Sequence, residues 1–106
     1  MYHQLEIDVH AHWDGQPPVY RIYVDQELIT ERKFRWKSYE FYIKELVSCY
    51  LETGIHTIKL ENVNKDGRFE LDQFIVNSTP VNRYFLSQGD NQVEWRFIID
   101  NQLKSR

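Results

Sequence analysis

The stretch Leu5-Glu6-Ile7-Asp8-Val9-His10-Ala11-His12-Trp13 alternates apolar and polar side chains without a break over nine residues. Successive side chains of a strand point to opposite faces, so a period of two marks this segment as a half-buried β-strand. One strand cannot stand alone, because its unpaired backbone groups and its apolar face both need neighbours. The rest of the chain supplies them. Val19 to Asp25 is rich in branched and aromatic residues, and Leu28-Ile29-Thr30 is a short partner beyond Gln26-Glu27. His56, Ile58 and Leu60 alternate with Thr57, Lys59 and Glu61. Phe69 and Leu71 are followed by Phe74 and Val76, an alternation that slips by one across Asp72-Gln73 and predicts a bulge. Val81 to Leu86 reads as the penultimate strand. Gln92 to Asp100 reads as the last, with Val93, Trp95, Phe97 and Ile99 on one face.

Turn chemistry separates these runs: Asp14 to Pro18, Glu52-Thr53-Gly54, Asn62 to Gly67, Ser78-Thr79-Pro80 and Ser87 to Asn91. Phe34 and Trp36 predict a further strand or an edge segment that covers the core. Residues 38–51 fit two patterns, since Tyr39, Tyr42, Ile43 and Leu46 approach a helical spacing. The density of branched and aromatic residues favours a strand from about Tyr42 to Leu51. The tail from Asn101 to Arg106 is mostly polar and reads as frayed. Roughly eight short strands with regular turns predict an all-β fold, an antiparallel β-sandwich of jelly-roll type, with a small barrel as the runner-up. The length of 106 residues suits a single domain over residues 1–106, and 42% hydrophobic content is enough for its core.

Charge excludes some functions. Thirteen basic and sixteen acidic residues leave a net charge of −3, which attracts no polyanion as a whole. The densest basic stretch, Arg32, Lys33, Arg35 and Lys37, is interleaved with Phe34 and Trp36 and reads as a strand with one solvated face. No nucleic-acid partner is expected. No apolar run approaches the length of a membrane span, and Met1 to Glu6 shows no signal-peptide pattern, so synthesis in a cytoplasm and no membrane partner are expected. The single cysteine, Cys49, cannot form an internal disulfide and reads as a buried, inert thiol.

Few residues point to chemistry. His10 and His12 share a strand face with Glu6 and Asp8 and could reach one zinc with a third ligand, but a two-ligand signal is weak and a solvated strand face is the preferred account of them. No nucleophile elbow or phosphate loop occurs, so an enzyme is not expected. Aromatic residues are the stronger lead. Trp13 and Trp95 lie in alternating strands and read as core. Trp36, Tyr39, Phe41 and Tyr42 follow a charged run; exposed together they would form a partner-binding patch, and folded inward they would be a flap over one end of the core.

Leu51-Glu52-Thr53-Gly54-Ile55-His56-Thr57-Ile58-Lys59-Leu60 and Phe69-Glu70-Leu71-Asp72-Gln73-Phe74-Ile75-Val76 resemble the closing strands of jelly-roll carbohydrate-binding modules. Tyr20-Arg21-Ile22-Tyr23-Val24-Asp25 followed by Leu28-Ile29 resembles a hairpin of their calcium-dependent, xylan-binding members, with Asp25-Gln26 where that family has Asp-Gly. The match covers about a third of the chain. It implies a noncatalytic sandwich that holds a polysaccharide with the help of calcium, for which Asp25, Asp66 and Asp72 are the candidate ligands. A small sandwich without an export signal also resembles phage and other viral structural proteins. That likeness implies incorporation in a virion, and self-association or binding to other structural proteins through the segment from Trp36 to Tyr42 or an uncovered strand edge. This assembly reading ranks first and the calcium-dependent carbohydrate-binding module second.

Overall fold

The alternating segment forms β1 (Tyr2–His12), which is paired on both sides. Its inward row of Leu5, Ile7, Val9 and Ala11 is fully buried. The computed structural model describes residues 1–36, 42–65, 67–89 and 91–100. Within these, β1 is followed by β2 (Val19–Val24), β3 (Glu27–Lys33), β4 (Ile43–Tyr50), β5 (Gly54–Asn62), β6 (Arg68–Val76), β7 (Thr79–Pro80), β8 (Tyr84–Gln88) and β9 (Gln92–Ile99). Two antiparallel sheets result, in the orders β4-β1-β6-β7 and β3-β2-β5-β9-β8. They pack face to face as a sandwich, not as a closed barrel.

The core lies between the inner rows. From the first sheet come the β1 row, Phe69, Phe74 and Val76 of β6, and Val47 of β4. From the second come Tyr20, Ile22, Val24, Ile58, Leu60, Val93, Trp95, Phe97 and Ile99. The rings meet edge to face across the layers: Phe74 lies 5.5 Å from Trp95 and 5.0 Å from Phe97, and Tyr20 lies 5.3 Å from Phe69. Each large apolar side chain taken out of water in this way contributes about 1.5–3 kcal/mol.

Backbone geometry fixes the corners. Asp25 and Gln26 both have positive φ, at 50° and 69°, as a two-residue turn matched to strand twist requires. Asn77 and Ser78 repeat this between β6 and β7, with φ of 51° and 69°. Gly67 has φ of 65°, and a Cβ there would lie 2.5 Å from the His12 carbonyl oxygen, so only glycine fits beside the end of β1. The expected bulge is present. The β1–β6 register shifts between Glu6 and Asp8, and Gln73 has φ of 56°.

The ambiguous segment is a strand, β4, over Ile43–Tyr50. The penultimate strand differs from expectation: Val81 to Arg83 is irregular, Thr79–Pro80 pairs with β6, and β8 begins at Tyr84 and includes Ser87 and Gln88. Proline is tolerated in β7 because a sheet edge needs no donor on its open side. Phe34 and Trp36 lie in no strand, but Phe34 is fully buried and its N–H donates to the Pro18 carbonyl at 2.8 Å, the covering role. The tail from Asn101 lies outside the described residues.

Candidate interaction surface

In β4 the sorting of polar and apolar side chains is broken at Glu45, Leu46 and Tyr50. Glu45 points inward and is buried, while Leu46 and Tyr50 point outward and are more than half exposed, at 54% and 58%. A buried carboxylate persists only when paired and hydrogen-bonded. Arg32 of β3 donates to Glu45 Oε1 from Nε at 3.0 Å and reaches the same oxygen from Nη2 at 2.9 Å. The Tyr20 hydroxyl donates to Oε2 at 3.2 Å. Burial, together with the adjacent carboxylate, pushes the Tyr20 phenol far above its ordinary pKa, so it remains a donor. The cluster joins edge strand β4 of one sheet to β2 and β3 of the other.

A second tie lies beyond the other end of β4. His56 Nδ1 is 2.6 Å from Asp25 Oδ2, in the β2–β3 turn, and His56 Nε2 is 2.6 Å from the Glu52 carbonyl oxygen. Both partners are acceptors, and the ring bridges them with its two nitrogens. Nearby, His3 is buried and its Nδ1 is 2.8 Å from Asn77 Nδ2. Burial, reinforced by the charge of the N-terminus and of His56, lowers the His3 pKa and favours the neutral ring.

The outer face of the first sheet carries apolar side chains at the β1–β4 side. Tyr2 stands opposite Tyr50 and its ring meets it edge-on at 5.5 Å. Leu46 stands opposite Glu6, whose other neighbour is Ile75. Tyr42 is half exposed and its ring lies 5.3 Å from that of His10. Of the four aromatic residues singled out in the sequence, Trp36 and Tyr42 are exposed by 47% and 48%, while Tyr39 and Phe41 lie outside the described residues. Trp36 packs edge-on against Phe34 at 5.9 Å, and its carbonyl accepts from Trp13 Nε1 at 2.7 Å. It lines a shallow groove of about 370 Å³ with Arg32, Lys33, Arg35 and Ile43. Leu46, Tyr50 and Tyr2 were missed in the sequence. The signal available was an acidic residue and a leucine in exchanged positions along β4.

A second exposed apolar group lies on the other sheet. Ile55 stands opposite Ile98, and Tyr84, Phe85 and Leu86 of β8 are each about half exposed. Tyr84 and Ile98 share a groove of about 480 Å³.

The candidate calcium ligands are not brought together. Asp25 sits in a turn of the second sheet with both oxygens engaged, Oδ1 accepting from the Thr57 N–H at 2.9 Å and Oδ2 facing His56. Asp72 lies in β6 of the first sheet and accepts from the Gln73 N–H at 2.9 Å. Asp66 lies outside the described residues. Calcium takes six to eight oxygen ligands, and among the described residues no group of three or more His, Cys, Asp or Glu is placed to hold a metal. His10 and His12 do share the outer face of β1, but His12 Nε2 is 3.5 Å from Glu70 and His10 lies against Tyr42. The Cys49 thiol is half-buried and burial pushes its pKa up to about 11, which keeps it a thiol at neutral pH. Comparison with protein-family models, with curated proteins and with solved structures returns no match for this chain.

Proposed function

We propose that the protein is a noncatalytic assembly module, a jelly-roll sandwich that binds other protein surfaces and associates with itself, as structural proteins of a virion do. The observation that carries this reading is the exposure of Leu46 and Tyr50 on β4, the terminal strand of its sheet among the described residues, with Tyr42 just before that strand and Tyr2 opposite Tyr50. Lys44 and Ser48 stand between them on the same face, so the surface is mixed, and a protein partner that covers its apolar members removes them from water. Strand exchange between the sheets, with β1, β4, β6 and β7 in one layer and the others in the second, is compatible with a jelly roll.

A second reading, glycan binding, is favoured by Trp36. A half-exposed indole beside the donors of Arg32, Lys33 and Arg35 suits the flat face and hydroxyls of a sugar ring. Light scattering over a concentration series, with and without millimolar calcium, separates the two. A mass that rises with concentration and ignores calcium is the expected result. A monomer at every concentration whose melting temperature rises with calcium or xylan would replace assembly with glycan binding.

A further inference from the structure

We infer that the partner at β4 is a second copy of this chain, paired edge to edge about a two-fold axis through Leu46. This rests on the assembly reading and specifies its geometry. β4 is the terminal strand of its sheet and pairs only with β1 among the described residues. The backbone direction along that edge is fixed by one bond. Leu51 N–H donates to the Met1 carbonyl at 2.9 Å, and the β1–β4 register runs without a shift. The odd-numbered residues of β4 therefore turn their N–H and C=O groups toward β1. The even-numbered ones, Lys44, Leu46 and Ser48, turn theirs to the open edge. Their side chains are the exposed ones on the outer face.

Antiparallel pairing of two β4 edges with Leu46 opposite Leu46 is self-complementary. On the outer face it sets Tyr42 opposite Tyr50 of the second copy and Lys44 opposite Ser48. On the inner face it sets Ile43 opposite Cys49 and Glu45 opposite Val47. Within these β4 pairs no like charges face each other, and Glu45 keeps its ties to Arg32 and Tyr20. The pair Tyr2 with Tyr50 of one copy then meets the pair Tyr42 with His10 of the other, which gives two symmetry-related rows across the junction. An isologous contact of this kind closes at two copies and gives a continuous eight-stranded sheet. One strand edge is a small interface, so the dimer forms in the micromolar range or weaker.

The test uses the full chain and three measurements. Sedimentation or light scattering from micromolar to near-millimolar concentration reports mass for the wild type, Leu46→Lys and Leu28→Lys. Leu28 is half exposed on β3, the edge of the other sheet. Leu46→Lys sets two cations opposite each other and raises the dimer dissociation constant by about tenfold or more, while Leu28→Lys leaves it unchanged. Amide exchange at high and low concentration reads the geometry: Lys44, Leu46 and Ser48 gain protection in the dimer and lose it on dilution. Circular dichroism confirms that the variants fold, as expected for two surface positions. A dimer that survives Leu46→Lys with these three amides unprotected overturns edge pairing and leaves the assembly reading standing. A wild-type monomer throughout overturns both.

Discussion

The two edge strands β3 and β4 lie on the same side of the sandwich and are built on opposite rules. β3 carries Glu27, Glu31, Arg32 and Lys33, all exposed, and Arg21 of its neighbour β2 pairs with Glu31 at 2.6 Å. Charges of this density are how sheets discourage pairing with another chain. β4 places its carboxylate inward and exposes Leu46 and Tyr50. The contrast shows that one protein can line one edge with charge and place apolar side chains on the next, and that the charged edge is also structural. Arg32 belongs to the charged edge yet fixes Glu45 of the apolar one.

Removing that link is the most damaging way to break the comparison. Arg32→Met leaves Glu45 buried without its cation. The half-exposure of the Arg32 side chain reduces the loss to about 2 kcal/mol, below the 3–5 kcal/mol typical of a fully buried pair. Urea unfolding checks this, with Arg21→Met as the control expected to leave the midpoint nearly in place. The second link is somewhat weaker. His56→Ala removes the bridge between Asp25 and the Glu52 carbonyl and lowers stability by about 1–2 kcal/mol, read from the same titration.

How much of this was legible depended on how cleanly each strand sorts its side chains. β1, β5 and β9 alternate and were readable because a full partner covers one face. The bulge at Gln73 was readable for the same reason, since an extra residue shifts an otherwise regular pattern. β8 was misplaced because Tyr84, Phe85 and Leu86 are apolar in succession and all half exposed, so no alternation marks where the strand begins. In β4, Glu45 inside and Leu46 outside cancel the expected pattern. A single sequence cannot show that Arg32, 13 residues away, supplies the countercharge. Trp36 and Tyr42 stand out in the sequence as aromatics after a charged run, with exposure and burial both open, whereas Leu46 and Tyr50 required the edge itself to be seen.

Two smaller effects sharpen the contrast. The folded state favours neutral His3, whose pKa lies below the ordinary 6.5, while the unfolded chain takes up a proton near that value. Its contribution is thus fully present above pH 6.5 and is lost as pH falls toward the folded-state value. Thermal melts from pH 7.5 to 5 are expected to show this decline, and His3→Gln to flatten it. The smallest effect lies in the turn that starts β3. Gln26 holds φ of 69°, a region glycine occupies without strain. Gln26→Gly is expected to raise stability by about 0.5 kcal/mol, after the added backbone freedom of the unfolded chain is offset. An unchanged melting temperature would mean the turn carries no strain.

The bulge in β6 has a consequence for how the chain tolerates change in length. Phe69 and Leu71 on one side of Gln73, and Phe74 and Val76 on the other, reach the same core from opposite parities of the count. The strand is thus two phases spliced by one residue. Substituting Gln73 alters a single exposed side chain, but deleting it brings the halves into step and turns one apolar pair out to solvent. At this point the protein is sensitive to the number of its residues more than to their kind.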